Sequence, residues 1–340
     1  MKSIPYLISL FSFLFWSCSP KDFSLPINPY ASWAKESPGL QIGTLPKSIG
    51  NWNDRVYPMD TDRLRTLIEI NQIDGIEDIP SGTKDLKTWR EQISRLFANF
   101  PKEVNELANE SILGIYFVTN LGSTGLTGVV RDTSGKPAGG IIFLDSDLLK
   151  DGGNDWATKR ENTTFQQNLN YSIRVQLDQS NSLDTALSYI ILHELGHILA
   201  IVRNYAPDYS EPKRDFRNYP YFEGVWWSET FSPYEDTFFP ERQKIKFYQK
   251  NPTLPIFPDG KFLYKKLTNT QFVSLYAATN ADDTFAEAFA QYVHVFLLKK
   301  EYKVLLIAGE ESEVVLSDPI KKEGGRKFRE LFASIFENSR

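Results

Sequence analysis

Histidine occurs only three times in the 340 residues, and two of the three lie four positions apart in the run His193-Glu194-Leu195-Gly196-His197. Around them Ala186, Leu187, Ile190, Ile191, Leu195, Ile198 and Leu199 recur at helical spacing. Ser182 or Asp184 supplies a cap, so the pattern predicts a helix over 184–202. Its apolar surface is too broad for a surface helix, so the rest of the chain must wrap around it. Positions i and i+4 share a helix face. The fold must therefore present both imidazoles at one point in its interior.

The composition permits such an interior. The chain is 41% hydrophobic and 24% charged, which excludes a disordered chain. The net charge of −5, with no basic cluster, gives no footing for nucleic acid. Cys18 is the single cysteine, so no intrachain disulfide can form. It follows a basic start at Lys2 and an uncharged stretch from Ile4 to Trp16, too short for a bilayer and suited to a signal peptide. Phe15-Trp16-Ser17-Cys18 resembles a relaxed bacterial lipobox, with Trp16 where a small residue is usual. Residues 1–17 are thus expected to be a lipoprotein signal peptide and Cys18 the lipidated residue. That places the chain in the cell envelope, anchored to a membrane or exported; a plain secretory signal is the alternative.

The expected organisation is α+β. Residues 18–58, rich in Pro, Ser, Asn and Gly without a sustained period, read as a tether. Residues 59–340 read as one catalytic-type domain. It has a helical lead-in over 59–110, a strand block over 111–145, the histidine helix, an aromatic loop region over 203–270 and a second helix over 281–298, with a last helix over 327–337. Gly140–Asp145 is expected to be the edge strand beside the cleft. The glycine-rich turn Gly122–Gly128 lacks the Lys-Ser/Thr ending of a phosphate loop.

HExxH on a helix gives two imidazole ligands to zinc, with a glutamate beside the first that can take a proton from the activated water. Such a site needs a third protein ligand and an open position. Ala200 and Arg203 stand where a metzincin would continue with Gly and His, so the ligand must come from elsewhere, as a carboxylate on a second helix.

The stretch Ser274–Tyr292, SLYAATNADDTFAEAFAQY, together with HELGH, resembles the catalytic domain of the anthrax lethal factor family of gluzincin metallopeptidases. The resemblance covers residues 185–200 and 274–292, and loosely the strands between 112 and 145. It implies a zincin-like domain and zinc-dependent endopeptidase activity. Carried across, Asp283 falls on the metal ligand, Glu287 on the acid behind it and Tyr276 on the tyrosine that stabilises the oxyanion. The family carries glutamate where this chain has Asp283, so Glu287 remains open as the ligand, since both acids lie on one helix face.

The other candidates have plainer roles. Asp282 is read as a helix-start acid and His294 as a hydrogen-bonded core histidine. Glu223 and Glu229 are spare carboxylates, and Trp226-Trp227 either line a pocket or pack in the core. The expectation is one Zn2+ per chain held by His193, His197 and Asp283, with Glu194 as general base, a peptide or protein substrate, membrane attachment through the lipid and a monomeric state. The rival is a binding lipoprotein that keeps the fold without activity; retention of Glu194 argues against it.

Overall fold

The computed structural model describes residues 23–47 and 50–337; the expected signal peptide and Cys18 lie outside the described residues. In chain order the elements are α1 (Ala31–Glu36), β1 (Val56–Tyr57), α2 (Thr61–Ile73), β2 (Ser81–Gly82), α3 (Leu86–Asn99), α4 (Lys102–Ser111), β3 (Ile112–Thr119), β4 (Gly125–Arg131), β5 (Pro137–Asp145), α5 (Gly153–Asn162), β6 (Phe165–Gln166) and β7 (Tyr171–Gln176). Then follow α6 (Leu183–Val202), β8 (Leu254–Pro255), α7 (Asp259–Leu267), α8 (Ala281–Tyr292), β9 (Lys303–Ala308), β10 (Glu311–Ser317) and α9 (Arg326–Glu337). Short polar side chains start the helices that matter most. Ser182 caps α6 and Asn280 caps α8, each accepting a backbone N–H three residues on.

The main sheet is small and mixed, in the order β1-β3-β5-β4, with β2 against the end of β3. β3 runs parallel to both β1 and β5, and β4 closes the sheet antiparallel to β5. The edge strand is therefore Gly125–Arg131. The expectation for Gly140–Asp145 is corrected: that run is β5, paired on both sides. Its unbroken apolar stretch is the mark of a strand buried on both faces rather than of an edge.

β3 explains a second correction. Ile115 and Phe117 face the main core with α3, α4 and α6, while Tyr116 and Val118 face a second apolar cluster. That cluster is completed by Trp33, Ala34 and Leu40 from the supposed tether, together with Leu67 and Ile70 of α2. Trp52 is buried in the main core and Val56 pairs with Ile115. Residues 28–47 and 50–57 are thus part of the domain: a sheet with two apolar faces needs two covers. Their scattered aromatics act as single anchors, which leave no period to read.

Beyond the sheet, α6 crosses the interior and packs closely on α8. Gly196 permits the approach, because a Cβ there would lie 2.8 Å from the Ala286 Cα. The second helix is shorter than expected: α8 ends at Tyr292 and a wide π turn continues over Val293–Leu297. α9 covers α8 through Phe328, Phe332 and Phe336. A separate antiparallel sheet, β10-β9-β7, and helix α7 within the 203–270 region were not anticipated.

Candidate metal centre

The two α6 histidines and Asp283 of α8 meet at one point. His193 Nε2 and His197 Nε2 are 3.1 Å apart, and Asp283 Oδ1 lies 3.4 and 3.5 Å from them. Tetrahedral bonds of about 2.0–2.1 Å to zinc require donor separations of about 3.3–3.4 Å. The three donors thus already form one face of such a tetrahedron, without rearrangement. Asp283 is held for this by its own cap. Asn280 Oδ1 accepts the Asp283 N–H at 2.8 Å, while Asn280 Nδ2 and the Thr279 hydroxyl donate to Oδ2 at 2.6 and 3.1 Å. Oδ2 is occupied, and Oδ1 is left for the histidines.

Glu287 lies one turn behind, fully buried. Its Oε1 accepts from Arg160 at 3.0 Å and lies 3.3 Å from His193 Nδ1, a buried nitrogen that has no hydrogen-bond partner among the described residues. Its Oε2 accepts from the hydroxyls of Tyr189 and Ser274, both at 3.0 Å. Every direction around this carboxylate is filled, so it is placed to orient His193 rather than to reach the same point as Asp283. The other histidine is met from behind by the Tyr209 hydroxyl, 3.3 Å from His197 Nδ1.

Glu194 opens into the same cleft, a cavity of about 450 Å3. The Thr127 hydroxyl, on edge strand β4, donates to Glu194 Oε2 at 2.8 Å. Gly125 on that strand leaves room for the carboxylate, since a Cβ there would come within 2.5 Å of Glu194 Oε1. Tyr276 lines the cleft opposite, its ring centroid 5.7 Å from that of His193.

The electrostatics call for positive charge. Burial works against a charged His193, but the carboxylates of Asp283 and Glu287 more than offset it, and its pKa rises to about 10. Burial likewise opposes ionisation of Asp283 and Glu287. The two histidines hold Asp283 far below the usual carboxylate range, and Arg160 with His193 brings Glu287 down to about 2. Asp283 is the main reason that the Tyr276 phenol is pushed well above its ordinary pKa. With neutral imidazoles, three carboxylates (Asp283, Glu287, Glu194) against Arg160 leave a formal charge of −2, which one divalent cation cancels.

The remaining candidates separate cleanly. Asp282 is more than a helix-start acid: it is buried and paired bidentately with Arg214 at 2.5 and 2.8 Å. Glu229 reaches the cleft beside that pair, and burial raises its pKa to about 7. Glu223 is exposed and apart from the site. His294 is a core histidine bonded to the Leu177 and Glu301 carbonyls. Trp226 is core, donating to the Thr284 hydroxyl at 2.8 Å, and half-buried Trp227 packs on Phe23 and Phe231.

Sequence reasoning passed over Arg160, Thr127, Tyr189, Ser274 and Tyr209. Tyr189 was the most accessible, being one turn before His193 on the same face. Arg160 carries no local signal, since it sits on a separate helix in an unremarkable charged run.

The fold and site define a mixed α+β domain with a buried His-His-Asp cluster able to hold a metal ion. Comparison with protein-family models, curated proteins and solved structures returns no match. The functional interpretation therefore rests on the side chains themselves.

Proposed function

We propose that the chain is a zinc-dependent endopeptidase of the gluzincin type, resembling the catalytic domain of the anthrax lethal factor family. The observation that carries this is the donor triangle of His193, His197 and Asp283, spaced at 3.1–3.5 Å, with Glu194 beside the first histidine in the same cleft. Two imidazoles and one carboxylate form a donor set suited to zinc, whereas calcium and magnesium favour all-oxygen sites.

Bound zinc would supply Lewis-acid activation of water and of a substrate carbonyl. The chain's own residues do the rest. Glu194, fixed by Thr127, accepts a proton from the attacking water and returns it to the leaving amine. Tyr276 donates its phenol hydrogen to the carbonyl oxygen as charge develops there; a raised pKa keeps that proton available. Glu287 aims His193 and Tyr209 braces His197. The substrate backbone adds to the edge of β4 at its Gly125 end, beyond the Gln41 bridge to Arg131, as an extended strand. Lipid attachment at Cys18 would hold the domain at a membrane surface.

The test is cleavage of an unfolded protein such as reduced casein. Activity should vanish with a chelator, return with zinc, and fall by about 100- to 10,000-fold in Glu194→Gln, the range expected for loss of a general base. Cleavage that survives in Glu194→Gln would remove the assignment.

A further inference from the structure

We propose that Arg160, on α5, is a positioning residue for the metal centre: it fixes the Glu287 carboxylate against His193 and seats the ring of Tyr276 beside the cleft. The inference rests on the metal-site reading above and adds a residue that the HExxH pattern does not contain.

Arg160 is 5% exposed and its partner Glu287 is fully buried. One guanidinium nitrogen donates to Glu287 Oε1 at 3.0 Å, the same oxygen that lies 3.3 Å from His193 Nδ1. Tyr189 and Ser274 hold Oε2, so the carboxylate is pinned at three points and can turn only toward His193. The guanidinium centre lies 4.7 Å from the ring centroids of both Trp156 and Tyr276. A planar cation between two rings is an arrangement that lysine cannot reproduce.

Stability alone does not account for this pair. Burying a guanidinium and a carboxylate costs solvation that their attraction only roughly returns, and a well-packed apolar pair does as well or better. What an apolar pair cannot do is leave one carboxylate oxygen aimed at a histidine while cancelling its charge. Among the described residues Arg160 is the one arginine or lysine that touches Glu287, and with the imidazoles neutral a divalent ion brings the buried cluster to neutrality.

The experiment measures zinc affinity of the purified chain by competition with a chromophoric chelator, and the visible absorption of the Co2+-loaded chain. The variants are Arg160→Met, Arg160→Lys, Glu287→Gln and Arg160→Met/Glu287→Gln. Arg160→Met should weaken zinc binding 10- to 100-fold and shift the Co2+ bands, the size of effect expected when support behind a ligand is lost. Arg160→Lys should fall between it and the parent. The double variant should be no weaker than Glu287→Gln, because both changes act through one carboxylate. Parent-like affinity and an unshifted Co2+ spectrum in a folded Arg160→Met would overturn the proposal. If that variant does not fold, the same result in Arg160→Lys would overturn it. Absence of zinc binding in the parent is a different outcome, which removes the metal centre itself and the proposal with it.

Discussion

Replacing Gly196 by alanine is a one-methyl perturbation that should be felt at the metal. The added Cβ would stand 2.8 Å from the Ala286 Cα and 3.2 Å from its carbonyl oxygen, both backbone atoms of α8. Carbon–carbon contact needs about 3.5 Å or more, so α6 and α8 must part by roughly 0.7 Å. Asp283 lies one turn before Ala286, and its separations from the histidine nitrogens, now 3.4 and 3.5 Å, would grow toward about 4.1–4.2 Å. That exceeds the roughly 3.3–3.6 Å donor spacing that bonds of about 2.0–2.2 Å to zinc set in a tetrahedron. Overpacking of this kind costs about 1–3 kcal/mol, against about 1 kcal/mol returned by the better helix propensity of alanine. The expected outcome is a folded protein no more than about 2 kcal/mol less stable, with zinc affinity lowered 10- to 100-fold. Urea unfolding of the metal-free chain measures the first quantity and chelator competition the second. Zinc affinity within a factor of two of the parent would refute the claim that the contact between α6 and α8 sets the ligand spacing.

Three further outcomes are expected. Trp52→Ala, in a segment that looks like a tether, should destabilise the domain by about 3–5 kcal/mol in urea unfolding, whereas a true tether residue would leave it unchanged. Thr127→Val should preserve the fold and lower kcat/KM by at least about 10-fold, because Glu194 loses the hydroxyl that fixes it; unchanged kcat/KM would mean that the bond is idle. Burial raises Glu161 from 4.5 to about 7 despite its bond from the Tyr264 hydroxyl. A carboxyl with a raised folded pKa binds more protons folded than unfolded, so its contribution is greatest below about pH 4.5 and is lost as pH rises through 7. That loss amounts to about 3 kcal/mol. Stability of Glu161→Gln, measured across pH 4–9, should fall less steeply than that of the parent over this window.

What the sequence made legible was whatever its local periodicity encodes. The α6 helix, its cap and its two histidines follow from spacing alone, and so does the existence of α8, whose Asn280 cap the structure adds. The choice between Asp283 and Glu287 needed three dimensions. Both share a helix face, and only the Arg160, Tyr189 and Ser274 contacts around Glu287 separate them. The edge strand was misassigned because apolar content marks burial, and β5 is the more apolar strand because it is interior. The N-terminal cover was missed for the opposite reason: Trp33, Leu40 and Trp52 hold irregular backbone in place singly. The hairpin of β9 and β10 did leave a trace, two β-branched runs around Gly309 in a left-handed turn.

Zinc content of the purified chain, compared among the parent, Asp283→Ala and Glu287→Ala, tests the metal assignment most directly. One zinc per parent chain is expected, lost in Asp283→Ala and retained at reduced affinity in Glu287→Ala. Loss in Glu287→Ala with retention in Asp283→Ala would contradict the ligand set. A parent chain that takes up no zinc would contradict the metal centre.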